Sequence, residues 1–179
     1  MGVVVEMESG SGKNPRAIKG EEIVAEIEKM LAESQIGVIY RDRILTARTR
    51  RYELKPGSKN ADVEILHTLL GIELKIGKKR LLCPDLATAR YLSVFARIGA
   101  EAVAVPYDIT QISRLADDLE SSWYRMLTLG EHLTAGRTEQ LRRRVIGQVI
   151  LRQREMIREL GGGALMPQFV QETRQRKRS

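Results

Sequence analysis

Apolar residues recur along this chain with two periods, and the switches between them lay out its elements. Over residues 21–34, Ile23, Ile27, Met30 and Leu31 fall on one side of a helical repeat, and Glu21 and Glu22 complement the dipole of the first turn. Over residues 36–54 the runs VIY and ILTA flank RDR. This predicts a β hairpin turning about Asp42, its second strand continuing through TARTRRYEL. Residues 56–59 read as a turn. Residues 61–70 carry both signals. Val63, Leu66 and Leu70, with Ile65 and Leu69, fit a helix capped by Asn60 and stopped by Gly71, while residues 62–66 also fit a strand. The cap and the period favour the helix. Ile72, Leu74 and Ile76 alternate with Glu73 and Lys75, which predicts a strand. Gly77-Lys78-Lys79 turns it back into a second strand at 80–83.

Residues 80–108 read as strand, helix and strand, the unit around which the rest packs. Asp85 stands where an N-cap is needed, and Gly99 stops the helix. Residues 102–105 are apolar throughout and end at Pro106. A helix over 109–129 follows, then a connector at 130–136. Thr138 caps a last helix over 139–160 that ends in three glycines. The fold class expected is α/β or α+β: a small mixed sheet with packed helices, followed by a C-terminal helical segment. The expected divisions are a flexible arm (1–20, opening on a short strand at 3–5), an α/β body (21–108), a helical segment (109–160) and a basic disordered tail (161–179).

Length and composition narrow the class. A chain of 179 residues, 42% hydrophobic, suffices for one domain with a real core. No apolar run approaches the roughly 20 residues of a membrane span. The opening residues are short and acidic, unlike a secretory leader, and the single Cys83 rules out an internal disulfide. These features lead to the expectation of a cytoplasmic protein with no membrane partner.

The charge is unevenly placed. Residues 1–136 hold 19 basic and 19 acidic side chains, whereas residues 137–179 hold 11 basic and 4 acidic ones, so the whole net charge of +7 lies in the last segment. Within the neutral part, residues 36–80 carry 11 basic against 5 acidic side chains. Basic blocks attract polyanions, nucleic acid first among them. Three groups stand out: Arg41, Arg43, Arg48, Arg50 and Arg51, interleaved with Tyr40 and Tyr52; Lys78, Lys79 and Arg80 at the hairpin tip; and Arg142, Arg143 and Arg144 on the last helix. Arginine grips phosphate and tyrosine stacks on exposed bases, so these positions predict non-catalytic, largely sequence-tolerant nucleic-acid binding with no cofactor.

Two other readings compete. Asp62 is followed eleven residues later by Glu73-Leu74-Lys75. An Asp and a Glu on neighbouring strands can hold a divalent metal, and a Lys two residues on shares the strand face. This resembles in outline the metal-dependent nucleases of the PD-(D/E)xK type. The resemblance implies Asp62 and Glu73 as ligands to Mg²⁺ or Mn²⁺, Lys75 as the residue orienting water or phosphate, and Glu22 or Glu26 as a further carboxylate. Against it, the same pattern recurs at Asp42 and Glu53-Leu54-Lys55. The GSGK segment at 10–13 lacks the spacing and the Ser/Thr of a phosphate loop, and His67 and His132 stand apart from any Cys/His cluster. Tyr107-Asp108 closes the last strand, where function often sits, but Asp108 with Thr110 reads first as a helix cap. The third reading is an oligomeric scaffold subunit of a larger complex. Here Ile146, Ile150 and Ile157 form a second apolar strip on the last helix, open to a homodimer or a helper subunit.

Overall fold

The computed structural model describes residues 15–54 and 62–163, with side chains from Lys19 onward. The expected strand at 3–5, the GSGK segment, the turn at 56–59 and the tail beyond 163 lie outside the described residues. The architecture is mixed α+β: two small antiparallel sheets with packed helices, followed by a C-terminal helical segment. Among the described residues, no helix is long and apolar enough to cross a membrane.

Helix α1 spans Pro15–Leu31, beginning earlier than expected. Proline at a first helical position has its φ preset and needs no N–H partner. A 3₁₀ turn, Ala32–Ser34, redirects the chain, with Ala32 in the left-handed region at φ +46°. The expected hairpin about Asp42 does not form. The chain makes helix α2, Ile36–Ile39, which runs into a π-helical turn, Tyr40–Ile44. The reason lies in burial. Ile36, Ile39, Tyr40 and Ile44 are all buried, and only a helical repeat brings these four to one side. Arg41, Asp42 and Arg43 are left exposed on the turn.

The predicted strand, helix and strand are present as β4 (Lys79–Cys83), α3 (Leu86–Ile98) and β5 (Ala102–Pro106). Asp85 caps α3, its carboxylate accepting from Thr88 N at 2.7 Å, and Gly99 ends it at φ +84°. The two strands belong to different sheets. β4 is the third strand of an antiparallel meander with β2 (Val63–Thr68) and β3 (Gly71–Ile76), while β5 pairs antiparallel with β1 (Thr49–Glu53). Residues 61–70 are therefore a strand and a turn, contrary to the expected helix. Pairing Val63 with Ile76 and Thr68 with Gly71 satisfies the backbone of both strands. It also brings Leu74, Ile76 and Cys83 to the buried face, which α3 covers. Leu69 and Leu70, which a helix would have placed on its apolar stripe, form the exposed tip.

Helix α3 is the most enclosed of the long helices, with Tyr91 to Ala96 buried without a break. Its Phe95 ring lies 5.6 Å from Tyr40 and 5.1 Å from Tyr91, and the two phenols finish the sheet beside it. Ala104 of β5 turns its N–H and C=O away from β1. Tyr40 Oη accepts from Ala104 N at 2.9 Å, and Tyr91 Oη donates to Ala104 O at 2.7 Å. Tyr40 Oη also donates to Gly161 O at 2.6 Å. Burial pushes the Tyr40 phenol up and the Tyr91 phenol well up, so both stay protonated and able to donate.

Helix α4 (Ile109–Leu133) and α5 (Glu139–Leu160) complete the molecule, capped by Asp108 and Thr138. Val24, Ile27 and Leu31 of α1 meet Met126, Val145 and Val149 in a second core between these three helices. The Ile146, Ile150 and Ile157 strip is not left open to a partner. Ile157 is buried in the main core, Ile150 touches both cores, and Ile146 lies against Gly130. A helix wedged between two cores needs two apolar sides. Buried Gln153 ties α5 to α2, accepting from Gly37 N at 2.8 Å and donating to Gln35 Oε1 at 3.2 Å. After α5, Gly162 and Gly163 lie flat on one face of the β1–β5 ribbon. A Cβ on Gly163 would stand 2.8 Å from that of Ala104.

Candidate functional site

The other face of the ribbon carries the most distinctive chemistry. Side chains alternate along a strand, so Arg48, Arg50 and Tyr52 share one face of β1, and Arg51 and Glu53 share the other. In the antiparallel register Arg50 stands opposite Val105 and Tyr52 opposite Val103, and Tyr107 N donates to Arg48 O at 3.3 Å. Cross-strand neighbours face the same way. Arg48, Arg50, Tyr52 and Tyr107 therefore lie on one side of the ribbon, the side whose Val103 and Val105 are fully buried in the main core.

The cations and rings are in contact. The Arg48 guanidinium lies 5.3 Å from the Tyr107 ring centre. That of Arg50 lies 5.0 Å from Tyr52 and 5.8 Å from Tyr107. Each such contact is worth about 0.5–1 kcal/mol at an exposed position and more when water is excluded. Arg50 Nε is sealed from solvent and has no hydrogen-bond partner among the described residues. A buried donor left without a partner costs about 1–3 kcal/mol, so the rings hold this guanidinium in place at an expense. Neither Arg48 nor Arg50 has a carboxylate partner among the described residues.

The nearest acids are already engaged. Asp85 caps α3, and Asp108, next to Tyr107, accepts from Thr110 N at 2.9 Å to cap α4. Burial pushes the Tyr52 phenol up; Arg50 opposes the rise, and Cys83 and Asp85 add to it. Burial likewise pushes the Cys83 thiol up to about 11, which keeps it neutral and poorly nucleophilic near pH 7. The surface offers two positive groups and two phenol rings. It has the means to hold an anion beside a flat group.

Most of the other expected contact residues are paired with acids. Arg41 bonds Asp42 at 2.7 Å, which holds that carboxylate below its ordinary range, and Arg43 bonds Asp118 at 2.7 Å. Arg51 bonds Glu53 at 2.8 Å on the opposite ribbon face, and Arg80 bonds Glu73 at 3.3 Å. Arg142 and Arg143 share Glu139 at 2.6 and 3.0 Å, with Arg142 chiefly holding that carboxylate below its ordinary range. Lys78 and Arg144 are exposed, and Lys79 opens β4 opposite Ile76. A cleft of about 370 Å³ beside the π turn has Arg43 and Arg125 on its wall, balanced by Glu33 and Asp118.

The expected metal ligands are not brought together. Gly77 N donates to Asp62 O at 2.8 Å, whereas Glu73 stands opposite Leu66, four residues further along. At roughly 3.3 Å per strand residue the two acids are about 13 Å apart along the sheet. Lys75 bonds Glu64 at 3.0 Å instead. Glu22 and Glu26 are exposed on α1, which packs on α4 and α5 and not on the meander. Among the described residues, no group of three His, Cys, Asp or Glu side chains could hold a metal ion. The sequence signal missed at the ribbon was Tyr107. It stood out only as a neighbour of Asp108, because nothing local places it beside Arg48.

Compared with protein-family models, curated proteins and solved structures, the chain matches none.

Proposed function

We propose that this chain binds nucleic acid without cutting it, through the ribbon face of Arg48, Arg50, Tyr52 and Tyr107. One observation carries the reading: two guanidinium groups with no carboxylate partner among the described residues lie against tyrosine rings, the outer ring half-exposed. Guanidinium and phenol together suit a polymer that alternates phosphates with flat bases. Lys78 and Arg144 supply further positive charge elsewhere on the surface. The exposed paired arginines are a lesser resource. Surface ion pairs are worth about 0–1 kcal/mol, so Arg41, Arg43, Arg142 and Arg143 could exchange carboxylate for phosphate at little cost.

The test is fluorescence anisotropy with labelled oligonucleotides over a salt series. Affinity should fall steeply with salt. Replacing Arg48 and Arg50 by Ala should remove about 1.4 from the slope of log K against log salt on a single strand and about 1.8 on a duplex, if each holds one phosphate. Replacing Arg41 and Arg43 should remove less. No binding to RNA or DNA at low salt refutes the proposal. Mg²⁺- or Mn²⁺-dependent cleavage that disappears in Glu73→Ala would replace it with the nuclease reading.

A further inference from the structure

We infer that Tyr107, Arg48 and Arg50 form a subsite for one unpaired nucleotide, so the chain prefers single-stranded to double-stranded nucleic acid. The inference rests on the reading above and specifies what the ribbon face selects. Arg48 and Arg50 are two residues apart on one strand face, about 7 Å along it. Tyr107 stands across from Arg48 and is within reach of both guanidinium groups. The ring is 50% exposed and stands at the open end of a strand whose preceding valines are fully buried. Such a residue keeps part of its ring open to a base while the two guanidinium groups hold it in place.

The anchoring matters for what can bind. With Arg50 Nε sealed, the guanidinium presents its two Nη groups, neither of which is buried without a partner. One phosphate can take those donors and the next phosphate the exposed Arg48, while the base between them lies on Tyr107. A paired base cannot do this, because both of its faces are already stacked inside the duplex. An unpaired base has a free face of its own, and stacking on an aromatic ring tolerates any base. A phosphorylated peptide would use the arginines but would gain nothing from the ring. Dependence on Tyr107 therefore separates the two kinds of ligand.

The experiment compares the full chain with Tyr107→Ala and Tyr107→Phe against a single-stranded oligonucleotide and a duplex of equal length. The single strand should bind more tightly than the duplex. Tyr107→Ala should weaken single-strand binding about ten- to hundred-fold, weaken duplex binding far less, because there only the seating of the arginines is lost, and be rescued by Tyr107→Phe. A 2-aminopurine placed in the single strand should be quenched by the wild type and by Tyr107→Phe, and not by Tyr107→Ala. Circular dichroism checks that each variant is folded. Equal binding of single strand and duplex, with Tyr107→Ala indifferent, overturns this inference and leaves the basic-face reading standing. So does a phosphopeptide that binds as well as the single strand. Absence of binding to either nucleic acid at low salt overturns both readings.

Discussion

Replacing Tyr40 by Phe removes one oxygen atom and leaves the ring against Phe95. That oxygen has two partners, Ala104 N at 2.9 Å and Gly161 O at 2.6 Å. Ala104 is fully buried, so its N–H would be orphaned out of reach of water at a cost of about 1–3 kcal/mol. Gly161 is partly exposed and its carbonyl can recover part of its bond from solvent, so about 0.5–1 kcal/mol is expected there. The expected loss is about 1.5–4 kcal/mol in chemical denaturation. For a domain of this size that corresponds to about 3–16 °C in Tm. Tyr91→Phe removes a single bond, to Ala104 O, and should cost about half as much. Because both phenols serve one residue, the double variant should depart from additivity. Amide exchange at Ala104 should quicken in Tyr40→Phe. The reasoning fails if Tyr40→Phe costs under about 0.5 kcal/mol, or less than Tyr91→Phe.

Two further outcomes are expected. In Gly37→Ala the new methyl would overlap Met156 Sδ and crowd Gln153 Oε1 where α2 meets α5. Urea denaturation should show a loss of about 1–3 kcal/mol, and adding Met156→Ala should restore part of it; a neutral Gly37→Ala refutes the close contact. Stability should fall between pH 9, the ordinary thiol value, and pH 11, the raised value at Cys83. In that window the unfolded thiol ionises while the buried one keeps its proton, so alkali favours unfolding. Cys83→Ala should flatten that part of a denaturation-versus-pH profile, and an unchanged profile would refute the assignment.

How much was legible in the sequence varied with how local its cause is. The unit from β4 to β5 and the α5 boundaries were readable because Asp85, Gly99, Asp108 and Thr138 act on the neighbouring turn, and their caps form as expected. Residues 61–70 fit both periods, and the choice is made by β3, whose backbone needs a partner. In the 36–44 segment VIY and ILTA look strand-like, whereas Tyr40 is fixed by bonds to Ala104 and Gly161, far along the chain. The arginine-rich stretch was legible as a set and not as a site. Which of its members are paired depends on where the chain brings Asp118 and Glu53, which form ion pairs with Arg43 and Arg51 and not with Arg48 or Arg50. Tyr107 joins the site through a strand pairing that no short-range pattern announces.

The outer rim of β5 has a consequence for how this protein behaves in a crowd. A bare strand edge invites other chains to add to it, which is how sheets grow into aggregates. Here the outward-facing residues of β5 are Ala102, Ala104 and Pro106. Ala104 has both polar groups occupied by phenols, and Pro106 has no N–H to donate. An incoming strand would lose both rungs at Ala104 and the donor at Pro106. The ribbon can thus stop at two strands and keep Arg48 and Tyr107 on display, without that side becoming a ready template for polymerisation.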